Sequence, residues 1–285
     1  MELVHKISEM QALASAWRAA GLSVGLVPTM GSLHEGHMSL VRKSAEENDR
    51  TVVSVFVNPI QFGANEDFDR YPRDLSRDLS LCGRAGADAV FNPSAAEMYP
   101  EGFCSRVEMS VLTENLCGKT RPAHFRGVCT VVLKLFLAAL PDRAYFGQKD
   151  AQQLAVVRRM ARDFNMRIEV VGAPIVREAD GLAMSSRNAY LTAAERAAAP
   201  CLFRALSGGA ELCRRGVVEA RGIERRVREI LSETPLARVD YVEVVDAETM
   251  RPLETVAGPA LCAAAVYIGE TRLIDNIALE ARAGH

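Results

Sequence analysis

A chain of 285 residues with 34 Lys plus Arg against 36 Asp plus Glu has a formal net charge of −2. That balance excludes a general binder of nucleic acid or of an anionic membrane, while leaving room for a local basic pocket. The length suffices for one large α/β domain or two domains with separate cores, and two is the expectation.

Seven cysteines, odd in number and without a C-x-x-C pair, fit free and mostly buried thiols in a reducing compartment rather than a disulfide framework. The start Met1-Glu2-Leu3-Val4-His5-Lys6 has neither the basic region nor the continuous apolar run of a signal peptide. The longest apolar stretches, 128–140 and 257–268, fall short of the roughly 20 residues that cross a bilayer, and Lys134 interrupts the first. A soluble, cytoplasmic protein is expected.

Short apolar, β-branched runs at 23–27, 51–57, 89–92, 143–146 and 167–171 predict strands. Helical spacing at 36–49, 75–85 and 152–165 falls between them, the last with Leu154, Val157 and Met160 on one side. Such alternation predicts βαβ units and a doubly wound, Rossmann-like parallel sheet. Past residue 176 come helical stretches at 193–213 and 219–233, then strand-like 239–245 and 263–267. The α/β prediction is therefore a nucleotide-binding domain, 1–173, and a smaller C-terminal α+β domain, 174–285, closing over the active site. Pro174 marks the boundary.

Ligands of open α/β sheets bind beyond the carboxyl ends of the strands, and three polar loops are predicted there. The first, Pro28-Thr29-Met30-Gly31-Ser32-Leu33-His34-Glu35-Gly36-His37, hands a strand over to a helix. Unpaired amides at the helix start, the helix dipole and two glycines suit a phosphate, and the imidazoles add donors. Two histidines three apart also fit a metal pair or plain surface residues.

The second loop carries Asn58 and Gln61, and the third Phe146-Gly147-Gln148-Lys149-Asp150, with Gln153 one helical turn on. Lys149 reaches phosphate as a mobile charge, or is a solvated turn residue. Gln61 and Gln153 supply uncharged donors and acceptors for a small polar acid, or face solvent. Met184-Ser185-Ser186-Arg187 combines hydroxyls with a permanent cation suited to phosphate; the alternative is a serine helix cap. The stretch 62–78, with Asp67, Asp69, Asp74 and Asp78 among arginines, reads as a solvated mobile flap rather than a metal site. No G-x-x-x-x-G-K-[ST] or G-x-G-x-x-G run is present.

His34-Glu35-Gly36-His37 resembles the His-x-Gly-His motif of the nucleotidylyltransferase and class I aminoacyl-tRNA synthetase superfamily, and Met184-Ser185-Ser186-Arg187 its second signature. Together with 28–37, 56–62, 121–136, 144–153, 184–191 and Thr271-Arg272-Leu273-Ile274-Asp275-Asn276, the chain resembles the pantothenate synthetase (pantoate-β-alanine ligase) family over nearly its whole length. Ser32, Ala123 and Leu137 depart from commoner family choices without removing a charged group.

The resemblance implies ATP-dependent condensation of pantoate with β-alanine through pantoyl adenylate, with Mg2+, and a homodimer. It implies ATP contacts at Met30, Gly31, Ser32, Leu33, His34, Glu35, Gly36, His37, Gly147, Gln148, Lys149, Asp150, Val176, Met184, Ser185, Ser186 and Arg187. Pantoate would lie between Gln61 and Gln153 near Asn58, and Gln61 would also meet β-alanine. His37 matches the family's proposed proton donor and His34 its phosphate-contacting partner; with Lys149 and Arg187 these are the expected catalytic residues. Hydrogen bonding by His37 is expected to matter more than proton delivery. Competing readings are another adenylyl-transferring enzyme of the superfamily and a nucleotide-binding regulatory module without turnover.

Overall fold

The computed structural model describes residues 1–64 and 66–280. In chain order its elements begin with β1 (Glu2–Val4), α1 (Ile7–Ala19), β2 (Val24–Thr29), α2 (Glu35–Glu47), β3 (Arg50–Val55), α3 (Leu75–Ala85), β4 (Ala89–Phe91) and α4 (Ala95–Met98). Next come α5 (Leu116–Thr120), α6 (His124–Ala139), β5 (Arg143–Gly147), α7 (Ala151–Asp163) and β6 (Glu169–Ala173). The chain ends with α8 (Ala193–Ala198), α9 (Cys201–Arg214), α10 (Ala220–Ser232), β7 (Ala237–Asp246), β8 (Ala260–Ile268) and β9 (Thr271–Leu279).

Two compact units result. The first comprises Met1–Met109, Arg121–Gln148 and Val156–Pro174; the second comprises Ser110–Thr120, Lys149–Ala155 and the described residues from Ile175 onward.

The first unit holds a six-stranded sheet in the order β1-β4-β3-β2-β5-β6, parallel throughout. Val24, Leu26, Val27, Val52 and Val53 are all buried, as expected of inner strands covered on both faces. Strand order runs outward from β2 in one direction through β3 and β4, and in the other through β5 and β6. The loops after β2 and β5 therefore flank the switch point of the sheet.

The strands predicted at 23–27, 51–57, 89–92, 143–146 and 167–171 appear as β2 to β6, and Leu154, Val157 and Met160 of α7 are buried. Neither β1 nor α6 stood out. The former is three residues long; the latter buries Phe125, Val128, Val132, Leu135 and Phe136 along with most of its other residues, so no polar stripe marks its period.

The second unit has an antiparallel sheet, β7-β8-β9, with one face packed on α9 and α10. Val242, Val244, Cys262, Ala264 and Val266 form its core with Leu202, Leu206, Ile223 and Val227. Unlike a single division at 173/174, the second unit also recruits two earlier segments. The Gln152 side-chain amide donates to the carbonyls of Leu112 and Asn115, both at 2.8 Å, and the Cys117 sulfur lies 3.3 Å from the Tyr241 hydroxyl. Such contacts leave no mark on local sequence texture.

All seven cysteines are free thiols, and every one except Cys104 is buried. Among the described residues no helix is long and apolar enough to cross a membrane.

Candidate active site

Beyond β2 the chain turns through Gly31 (φ 81°) and Ser32 (φ 51°), left-handed conformations in which glycine is at ease and serine strained. Asp78 of α3 holds this turn. Its carboxylate accepts from the Ser32 amide at 2.9 Å and the Leu33 amide at 2.8 Å, and the residue is 1% exposed. Burial pushes its carboxyl up from the ordinary value, against the opposing pull of the Leu33 and Ser32 N–H groups. Asp78 is thus no part of a solvated flap. Asp74 caps α3 by accepting from the Arg77 amide, and Arg73 donates to the carbonyls of Phe68 and Tyr71.

The start of α2 is capped by the two histidines themselves. The Gly36 amide donates to His34 Nδ1 at 3.2 Å, and the His34 amide to His37 Nδ1 at 3.3 Å. Several amides expected to await phosphate are therefore already bonded, to imidazole or to Asp78. The arrangement has a chemical consequence: with Nδ1 accepting, each neutral ring carries its proton on Nε2. The ring centroids are 4.0 Å apart, so two imidazolium charges there would repel.

Gln61 closes the 3-10 turn Pro59–Gln61 after β3. Its side-chain carbonyl accepts from Asn58 Nδ2 at 3.0 Å, and its Nε2 donates to the Met30 sulfur at 3.0 Å. Asn58 is 1% exposed; its second N–H goes to the Gly127 carbonyl at 3.1 Å and its oxygen accepts from the Tyr99 hydroxyl at 2.7 Å. Both hydrogens of Asn58 are committed, so it orients the Gln61 amide instead of serving a ligand with them.

Gly127 lets α6 approach this turn, since a Cβ there would lie 2.5 Å from both Gln61 Cα and the Ile60 carbonyl oxygen. Gly127→Ala is expected to displace Gln61, costing about 1–3 kcal/mol of stability. Thermal melts check it. Arg121, just before α6, donates to both oxygens of Glu66. Burial pushes that carboxyl up, but the hydrogen bonds and charge of Arg121 outweigh it and leave it below its usual range.

In the second unit, Lys149 and Asp150 lie on the 3-10 turn Gln148–Asp150, with Lys149 Nζ 3.9 Å from Asp150. Gln153 is half-buried in the first turn of α7. The Met184 amide donates to the Val176 carbonyl at 3.0 Å. Ser185 caps the 3-10 turn Ser186–Tyr190, its hydroxyl accepting from the Arg187 amide at 3.3 Å. The cap reading is thereby realised at Ser185, and the same turn carries Arg187. At Gly147 a Cβ would meet no heavy atom within 4 Å, so packing does not demand glycine there and the backbone stays open to approach.

Met30 to His37, Asn58 and Gln61 thus belong to the first unit with Gly147 and Gln148. The second carries Lys149, Asp150, Gln153, Val176 and Met184 to Arg187. Asp78, Gly127 and Tyr99 went unforeseen as supports, since their partners are remote in sequence.

Residues 2–278 match the family described as pantoate-β-alanine ligase. The chain belongs to the pantoate-β-alanine ligase family. Among similar ligases, the pantothenate synthetase of Ruminiclostridium cellulolyticum is 55% identical over 276 residues, covering 97% of this chain and 98% of that protein. That of Moorella thermoacetica is 55% identical over 280 residues, covering 98% and 99%. Among solved ligase structures, pantothenate synthetase from Thermus thermophilus superposes with a TM-score of 0.91 at 48% identity, covering 97% of this chain and 99% of that one. Pantoate-β-alanine ligase from Francisella tularensis, complexed with β-γ ATP and β-alanine, gives a TM-score of 0.81 at 32% identity, with 98% and 97% covered.

Proposed function

We infer that this ligase condenses (R)-pantoate with β-alanine in two ATP-driven steps on the residues described above. A pantoate carboxylate oxygen attacks the α-phosphorus of ATP, forming pantoyl adenylate as the bond to pyrophosphate breaks. The β-alanine amine then attacks the adenylate carbonyl, loses a proton and expels AMP, leaving the amide of pantothenate. Attack of one anion on another is electrostatically disfavoured, so the first step needs positive groups placed beforehand.

In this reading ATP contacts Met30 to His37, Gly147 to Asp150, Val176 and Met184 to Arg187. His34 and His37 donate from Nε2 to phosphate oxygens, while Lys149 and Arg187 neutralise the charge that grows on the leaving group. Because each histidine Nδ1 is tied to the helix cap, stabilisation by hydrogen bonding suits both rings better than full proton transfer. Gln61 and Gln153 hold pantoate, Asn58 orients Gln61, and Gln61 also meets β-alanine.

Mg2+ fits this scheme as an ion carried by the triphosphate, where it neutralises phosphate charge. Among the described residues no group of three His, Cys, Asp or Glu converges on a site of its own. A homodimer, a cytoplasmic setting and closure of the second unit over the nucleotide complete the proposal.

The observation that carries it lies within the first unit. The amide proposed for the acid, Gln61 Nε2, touches Met30, four residues before His34, so the acid-binding amide abuts the loop proposed for the phosphates. Omitting ATP, Mg2+, pantoate or β-alanine in turn from a coupled assay tests the whole reading. Pyrophosphate release is expected with pantoate alone and AMP release only with β-alanine as well; absence of pyrophosphate release with pantoate would leave a regulatory nucleotide binder or another adenylyltransferase. Gln153→Ala is expected to raise the pantoate KM by about 10–100-fold, the worth of one or two buried hydrogen bonds, with ATP affinity nearly kept. A defect confined to ATP would contradict the assignment.

A further inference from the structure

We propose that Arg177, Asp275 and Asn276 form a positioning network that registers the main chain at Lys149 with the turn bearing Arg187. The proposal rests on the reading above, in which both cations act on the phosphates of ATP. Long cationic side chains are flexible, so their placement depends on how firmly their backbones are held.

The hold on Lys149 is specific. Asn276 of β9, 6% exposed, donates from Nδ2 to the Lys149 carbonyl at 3.0 Å. Asn276's own amide donates to Asp275 Oδ1 at 2.8 Å. Asp275, 3% exposed, receives both arms of the Arg177 guanidinium, at 2.6 Å and 3.0 Å. Arg177 also donates to the Gly181 carbonyl at 3.1 Å and lies 4.1 Å over the Phe203 ring.

That guanidinium fastens a hairpin. Arg177 and Ala183 form an antiparallel bridge, the Glu178 amide donates to the Leu182 carbonyl, and the chain passes directly into the Ser185 cap and Arg187. Adjacent strand residues face opposite sides of a sheet. Asp275 therefore clamps the hairpin from the side of β9 that carries α9, through Phe203, and Asn276 clamps Lys149 from the other. One short stretch of β9 is thus the common frame for both cations. Stability alone does not account for the buried pair, because an apolar replacement of similar volume is often as stable.

A double-mutant cycle on the full-length enzyme tests this, read as the single-turnover rate of pyrophosphate release with ATP, Mg2+ and pantoate. Asn276→Ala is expected to slow adenylate formation by about 10–100-fold, with ATP and pantoate KM changed less than about threefold. In a Lys149→Ala background the same change should cost less than about threefold, because residues acting as one unit are not additive. Asn276→Asp, of equal size but lacking the donor, should reproduce the loss, and it decides the matter if the alanine variant does not fold. Arg177→Lys, which keeps charge but loses the fork, should slow the wild-type enzyme and have little further effect beside Arg187→Ala. Full penalties in the Lys149→Ala and Arg187→Ala backgrounds would overturn the positioning role while leaving the ATP reading intact. An undiminished rate in Lys149→Ala itself would instead overturn that reading, and this proposal with it.

Discussion

Replacing His37 with alanine is expected to slow pantoyl-adenylate formation by about 10²–10³-fold, the usual loss when one donor to a developing oxyanion is removed. The same change deletes the acceptor of the His34 amide, so a separate cost of about 0.5–2 kcal/mol in stability should accompany it. His37→Gln separates the two effects. Glutamine at the third helical position can restore the reciprocal cap but does not reproduce the imidazole Nε2 position, so stability should recover while the rate stays low. A pH series supplies the sign. If the ring works as a neutral donor, the wild-type adenylation rate should not fall as pH is raised from about 6 to about 8, the range in which histidine loses its charge. A steady decline matching loss of an imidazolium would favour complete proton transfer.

Asp78→Ala is expected to destabilise the protein by about 1–4 kcal/mol, because the buried amide of Leu33 would lose its acceptor at roughly 1–3 kcal/mol and the part-buried amide of Ser32 at less. Adenylation should slow as well, since the turn leading into His34 loses its anchor. The linkage is unusual for a bonded carboxylate. Burial holds the folded pKa above the ordinary value despite the Leu33 and Ser32 N–H groups, so the native state binds the proton more tightly than the unfolded chain. This group's contribution to stability therefore falls as pH rises from its unfolded value through its folded one. Denaturant melts across the acidic range should show the stability gap between wild type and Asp78→Ala narrowing as pH rises, since the other carboxylates are common to both. Equal slopes would mean that Asp78 is not the group responsible.

The same two sites show what could be read from the chain. That His34 and His37 begin a helix at the end of a strand was legible, because an apolar β-branched run followed by Gly31 and helical spacing has few other solutions. Their ring tautomers were not, because these depend on which amides the rings cap. Asp78 looks in the sequence like one acidic residue among several on a surface stretch; its partners lie 45 and 46 residues away, and nothing local distinguishes it from Asp74. Asn58 is chemically loaded, as its loop suggests, yet its polar groups are engaged with Gln61, Gly127 and Tyr99. β9 does not announce itself as a strand, since Asp275 and Asn276 interrupt its apolar alternation. Those same residues cross-link the second unit.

The interleaving of the two units bears on synthesis as much as on catalysis. The polypeptide passes between them at 109/110, 120/121, 148/149, 155/156 and 174/175. As the chain leaves the ribosome, residues 110–120 and 149–155 emerge before the sheet that will receive them exists. The Gln152 amide can meet Leu112 and Asn115 early, but the Asn276 bond to Lys149 must wait for β9, the last of the described strands. A fragment beginning at Ile175 would lack both segments and leave Tyr241 without Cys117. Cutting or transplanting either unit at a single junction would therefore interrupt a cooperative assembly rather than release a self-sufficient module.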